Sequence, residues 1–233
     1  MRLLFRILGT LMIVAGVVML AWAVTVWQWQ DPVTAVLHNR DQRSLERTFE
    51  RKLQRHDRPQ IVVAAASPAE VRRELSRDAV KWRKQSKQGD AIARLRIPRL
   101  GVTEIVVNGT DANSLKRGPG RYLGTAMPGE GQLVYVAGHR TTYGAPFSHI
   151  TSLRPGDRVY VELPYGTFEY AITGHRIVPA DQLSVLKSKG FEQLALQACH
   201  PRFFASQRYI AYAKPVGVTL PGASTQTPLE ALG

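Results

Sequence analysis

Residues 90–218 read as an all-β domain, a closed or nearly closed barrel of about eight strands joined by short helical turns. After Gly89 the chain breaks into short runs of alternating apolar and polar residues. Gly, Pro and Asp separate these runs at close intervals, and few stretches hold a helical period for long. What stands in front is different in kind: a long apolar run, then a charged segment with helical spacing. The chain therefore divides into an N-terminal transmembrane anchor (1–30), a charged, partly helical juxtamembrane stalk (31–89), the barrel (90–218) and a flexible C-terminal tail (219–233).

The anchor rests on residues 7–27, which are 21 uncharged and mostly apolar residues in a row. As a helix they extend about 30 Å, the thickness of a bilayer core. Arg2 and Arg6 precede them, Trp22, Trp27 and Trp29 crowd the far end, and the run exceeds a signal-peptide core. Ala21-Trp22-Ala23 is a poor cleavage pattern, so the expectation is an uncleaved single-pass helix with a cytoplasmic N-terminus and everything else outside the cell. Arg40, Arg43 and Arg47 run against the positive-inside bias, which long translocated domains override.

In the stalk, Leu45, Phe49 and Leu53 recur at helical spacing. A second helix starts at Ser67-Pro68-Ala69-Glu70, where serine caps, proline takes the first helical position and glutamate follows three residues after the cap. The apolar stretch 61–66 fits either helix or strand. In the barrel, strands are expected at 91–97, 103–108, 132–137, 158–163, 167–173, 192–199 and 208–216, with single helical turns at 146–153 and 180–186. Residues 221–233 carry one charge, Glu230, and read as a loose tail.

Lysine and arginine total 31 against 18 acids, a formal charge of +13, which suits nucleic acid, anionic lipid or anionic wall polymer. A domain held outside a membrane argues against nucleic acid. Cys199 is the one cysteine, so it makes no internal disulfide; outside the cell a leftover cysteine implies intermolecular pairing or a reactive thiol, unless it serves as packing. Strands on either side of residues 200–207 form an antiparallel pair that sets Cys199 beside Arg208 at one rim. A thiol needs a base or a cation to ionise at neutral pH. Of six histidines, His38 and His56 fall in the stalk, His200 points to the face opposite Cys199, and His149 lies in a helical turn. His139 and His175 each follow an apolar strand and a glycine, and local sequence does not rank them.

Tyr135-Val136-Ala137-Gly138-His139-Arg140-Thr141-Thr142-Tyr143-Gly144-Ala145-Pro146-Phe147, then Leu153-Arg154-Pro155-Gly156-Asp157, then Cys199-His200-Pro201 through Arg208, resembles the sortases. Arg96-Ile97-Pro98-Arg99-Leu100-Gly101 and Gly118-Pro119-Gly120 fit the same family, and the stretch after Ala137 is most similar to the class E sortases of actinobacteria. Sortases usually carry Thr-Leu-x-Thr before the cysteine, whereas here Ala195-Leu196-Gln197-Ala198 keeps the leucine alone. The resemblance implies a sortase-like barrel and a cysteine transpeptidase. Cys199 is then the nucleophile, His139 the acid and base, and Arg208 the group that binds substrate or steadies the oxyanion. Tyr143, Ala198 and His200 become substrate-binding positions. The implied partners are secreted proteins with a C-terminal Leu-Pro/Ala-x-Thr-Gly-like signal, cut between Thr and Gly, and a lipid-linked peptidoglycan precursor amine or a pilin lysine as acceptor. No cofactor is implied and no metal, since Glu162, Glu169 and Asp181 are scattered. Two other readings stand beside it: a cysteine transpeptidase of the L,D type, whose Ser-x-Gly-Cys-x-Arg run is absent, and a non-catalytic basic barrel that binds wall polymer.

Overall fold

In the computed structural model, which describes residues 2–29, 32–55, 67–223 and 226–228, the alternating runs pair into a closed mixed barrel. Its strands are β1 (Ala91–Ile97), β2 (Val102–Asn108), β3 (Gly120–Arg121), β4 (Leu133–Ala137), β5 (Arg158–Leu163), β6 (Gly166–Pro179), β7 (Gln193–His200) and β8 (Gln207–Thr219). Neighbours run β6-β5-β1-β2-β3-β4-β7-β8, and β6 pairs with β8 to close the ring. Two joins are parallel, β2 with β3 and β4 with β7. The second matters most, because parallel strands end at the same rim. Inward residues such as Leu95, Phe168, Tyr170, Leu194 and Leu196 are fully buried and fill the barrel.

Several elements depart from the sequence reading. β6 continues past residue 173 to Pro179, through a register irregularity between Ile172 and Gly174, and this extension pairs with the start of β8. The two-residue β3 and a short helix, Ala112–Arg117, were not anticipated; the helix is capped by the Asp111 carboxylate, which accepts from the backbone of Asn113 and Ser114. The turns read at 146–153 and 180–186 contain the 3-10 segments Ile150–Ser152 and Leu183–Leu186. In the stretch read as a loose tail, β9 (Thr227–Pro228) pairs with Gly217 and Val218.

Three long helices precede the barrel: α1 (Arg2–Trp29), α2 (Pro32–Arg55) and α3 (Pro68–Gln85). The segment Arg2–Val24 of α1 is long and apolar enough to cross a membrane, and its side chains are unburied by the protein. The α3 cap is the one read from sequence, with the Ser67 hydroxyl accepting from the Glu70 N–H and the Glu70 carboxylate from the Ser67 N–H.

Where a stalk was expected, α2 and α3 lie on the barrel. Leu45 and Phe49 of α2 pack against Ala91, Ile105 and Val107, and burying each stabilises by roughly 1.5–3 kcal/mol. Arg94 of β1 binds the carboxylates of Glu46 and Glu50 from α2 and Glu162 from β5. Val71, Leu75, Ala79 and Trp82 of α3 belong to the barrel core itself, and the Trp82 indole donates to the Ile92 carbonyl at 3.1 Å. His56 and residues 61–66 lie outside the described residues.

Candidate active site

The rim at the ends of β4 and β7 gathers His139, Cys199 and Arg208. Ala137 of β4 pairs with Gln197 of β7, and the Gly138 N–H donates to the Gln197 carbonyl at 2.9 Å. Carrying that parallel register two residues further sets His139 alongside Cys199. On the other side of β7, Cys199 pairs directly with Arg208 of β8. The three residues line one cleft of about 300 Å³, walled by Tyr122, Tyr135 and Leu183. A larger hollow, about 600 Å³, lies at the opposite end of β7 between α3 and residues 129–131 and 190–192, and holds neither the cysteine nor a histidine.

His139 sits in a loop with little freedom. A Cβ on Gly138 would lie 2.6 Å from the Phe147 ring, and Gly144, at φ 71°, would bring one within 2.2 Å of the His38 ring. Among the described residues, four non-glycine residues have positive φ: Tyr143, Ala145, Phe203 and Ala205. All four lie in the loops that follow His139 and Cys199, where backbone cost commonly concentrates around function. Burial lowers the pKa of His139 below 6.5, and the charge of His38 lowers it further. The imidazole is therefore neutral at pH 7. Among the described residues, Cys199 Sγ and this imidazole share no hydrogen bond, so each is free to engage a substrate. The Arg208 guanidinium donates through Nη1 to the carbonyls of Ala205 and Gln207, which fixes it to its own loop. Nowhere among the described residues do His, Cys, Asp and Glu gather in threes to hold a metal ion.

A family model for the sortase domain matches residues 95–216. The chain belongs to the sortase family. It is 35% identical to sortase D of Bacillus subtilis over 132 residues, covering 55% of this chain and 65% of that protein. It is also 35% identical to sortase SrtE1 of Streptomyces coelicolor over 146 residues, covering 55% of this chain and 41% of the relative. The chain thus spans less than two thirds of either. Among solved structures, sortase E1 of Streptomyces coelicolor, with a tripeptide in its active site, aligns with a TM-score of 0.55 at 28% identity over 60% of this chain and 97% of its own. The Clostridium perfringens sortase D5 transpeptidase aligns with a TM-score of 0.54 at 25% identity, over 63% and 99%.

Other expected site residues of this sortase fall elsewhere. His175 is on β6, stacked on the Tyr209 ring at 4.7 Å and away from the cleft. Ala198 is fully buried and gives its methyl to the barrel core, because it alternates with Cys199 along β7; only its backbone is left for a substrate. His200 accepts through Nδ1 from Arg140 at 2.9 Å, which fixes the proton on Nε2. Burial and then Arg140 hold its pKa below the ordinary range. The Tyr143 ring leans on His139 with centroids 5.1 Å apart, and its N–H donates to Thr34 Oγ1 of α2 at 3.0 Å.

Three contributors were missed from sequence. Arg140, 6% exposed, donates through Nη1 to the Cys199 carbonyl at 3.1 Å and so ties the histidine loop to the cysteine strand. Thr34 and His38, assigned to the stalk, lie against the loop that carries His139. The Gly-His-Arg triplet was the available signal for Arg140. For the α2 residues, sequence offered a helix face but no partner.

Proposed function

We propose that this sortase is a membrane-anchored cysteine transpeptidase that cleaves a Leu-Pro/Ala-x-Thr-Gly-like sorting signal between Thr and Gly. It passes the acyl group through a Cys199 thioester to an amine, either a lipid-linked cell-wall precursor or a pilin lysine. The observation that carries this reading is the pair of registers, parallel β4–β7 and antiparallel β7–β8, with His139 on one side of the thiol and Arg208 on the other. The tripeptide in the active site of the related sortase E1 points to a peptide substrate. The apolar length of α1 supports a membrane anchor, and Arg2 and Arg6 ahead of it favour a cytoplasmic N-terminus with the barrel outside.

The steps follow from the groups present. The Cys199 thiol first passes its proton to the neutral His139 imidazole; the thiolate Sγ then attacks the threonine carbonyl, and the negative charge that develops on oxygen is met by the Arg208 guanidinium. His139, as imidazolium, gives its proton to the glycine nitrogen as the C–N bond breaks, leaving a thioester and a neutral imidazole. The acceptor amine then loses a proton to His139 as it attacks the thioester. The C–S bond breaks, Cys199 regains the charge, and the original proton count is restored.

Mass spectrometry of the full chain in detergent, incubated with a panel of sorting peptides, tests this. The expected product is the protein heavier by the peptide's acyl part, discharged when an amine is added and absent in Cys199→Ala. A protein that binds the peptides but never acquires acyl mass is instead the non-catalytic binding barrel.

A further inference from the structure

The end of the barrel that bears the cleft is tied to the membrane end of the chain. Thr34 lies five residues after Trp29, the last residue of α1, so even a fully extended link leaves it within about 18 Å of that helix. Thr34 Oγ1 holds the Tyr143 N–H at 3.0 Å, and the Tyr143 ring leans on His139. From there α2 descends the barrel wall, through Gln42 at the Ile105 backbone to Lys52 at the Ala91 carbonyl. The opposite rim, where Leu75 and Ser76 of α3 meet Gly129–Gly131, is one strand length further away, roughly 25 Å for the eight residues of β7.

The loop at the membrane-tied end, residues 201–206, carries two adjacent exposed phenylalanines, Phe203 at 52% and Phe204 at 81%, whereas among the described residues the opposite rim exposes a single one, Phe191. Phe203 is held at φ 71° and Ala205 at φ 52°, so the loop keeps both rings outside at a cost in backbone conformation. A cation stands beside them: the Arg202 guanidinium lies 5.6 Å from the Phe203 ring. Arg40 and Arg43 are exposed on the early turns of α2, the helix that follows the anchor. Adjacent exposed aromatic rings with an arginine beside them match the boundary between acyl chains and anionic headgroups.

We infer that the β7–β8 loop docks through Phe203 and Phe204 into the interface of the membrane that holds α1, so that the cleft opens at the lipid surface. The occupant is an anionic phospholipid bilayer. The inference rests on the anchor reading of α1 and not on the chemistry of Cys199. Its functional sense is that an acceptor amine carried on a lipid reaches His139 and Cys199 without leaving the membrane surface. The basic residues after α1, which oppose the positive-inside bias, then become headgroup contacts.

The test uses the full chain carrying Cys199→Ala, with one cysteine restored at the exposed Ser206 (Ser206→Cys) or, as the distant control, at Arg77 of α3 (Arg77→Cys). Each is labelled with an environment-sensitive nitrobenzoxadiazole and reconstituted in phosphatidylglycerol-containing vesicles. The expected result is blue-shifted emission at 206, quenched by a lipid-borne nitroxide and several-fold less by aqueous iodide than the label at 77. Adding Phe203→Ser and Phe204→Ser should return the 206 label to water. A 206 label as accessible as the one at 77, in protein that floats with the vesicles, overturns the inference. So does protection that develops only when a sorting peptide is added, since the loop then belongs to the peptide. Protein that does not float overturns the anchor reading first and this inference with it, and flotation distinguishes that failure from the others.

Discussion

The Nε2–H of His38 donates to the Glu104 carboxylate at 2.9 Å, from a site 1% exposed where α2 crosses β2. Burial works against the charge on this imidazole, but the hydrogen bond and charge of Glu104 outweigh it, with the Lys116 backbone and then Asp41 of α2 adding to them, and its pKa is raised above 6.5. His139 is displaced the opposite way. Between the two values His38 is charged while His139 is neutral, and the charge on His38 helps keep it so. Replacing His38 by Gln removes that charge, so the His139 pKa rises toward 6.5. The acid limb of the kcat/KM profile should then move to higher pH. A role in packing alone would lower the rate without moving the limb.

The same pair makes stability depend on pH. A histidine whose folded pKa lies above its unfolded value contributes stability that is fully present below the unfolded value of about 6.5 and lost as pH rises through the folded value. Melting temperature should therefore fall from pH 6 upward by an increment that His38→Gln lacks. Thermal unfolding of both proteins across that range measures it, and parallel curves would count against the pairing.

Phe49 is 0% exposed beneath α2, against Ala91, Ile105 and Val107. Phe49→Ala should cost about 3–5 kcal/mol, read from the denaturant midpoint. For the same reason a fragment beginning at residue 90, which drops Phe49 together with Leu75 and Trp82 of α3, should melt well below one beginning at residue 32. Equal melting temperatures would mean that α2 and α3 lie on the barrel without stabilising it.

The barrel was legible because strand alternation and turn residues are local signals; β1 and β5 were read to the residue, at Ala91–Ile97 and Arg158–Leu163. The two-residue β3 is too short to show a period, and the extension of β6 beyond Gly174 buries Val178 alone, so no alternation marks it. The Cys199–Arg208 juxtaposition followed from a single hairpin. That of His139 with Cys199 depends on a parallel pairing across two intervening strands, which no local pattern carries, and there the family resemblance supplied what spacing did not. Arg140 stayed hidden because its partner is a backbone carbonyl 59 residues away. In α2 the stripe of Leu45, Phe49 and Leu53 revealed an apolar face, but the surface that it covers is set by the barrel.

Arg208 serves two purposes at once, and this makes its replacement informative. Nη1 holds the carbonyls of Ala205 and Gln207, while the residue also lines the cleft opposite Cys199. A lysine keeps the charge but offers a single ammonium in place of a planar fork, so it cannot grip the loop and meet an oxyanion together. Arg208→Lys should lower kcat by roughly 10²–10³, the loss typical when one oxyanion donor is removed, with a smaller change in KM. Alkylation of Cys199 by iodoacetamide separates this from a general disturbance of the thiol, because the positive charge beside Sγ is retained and the alkylation rate should stay close to wild type. If turnover and alkylation fell together, Arg208 would be acting by ionising the thiol. Turnover unchanged in the lysine variant would remove it from the reaction altogether.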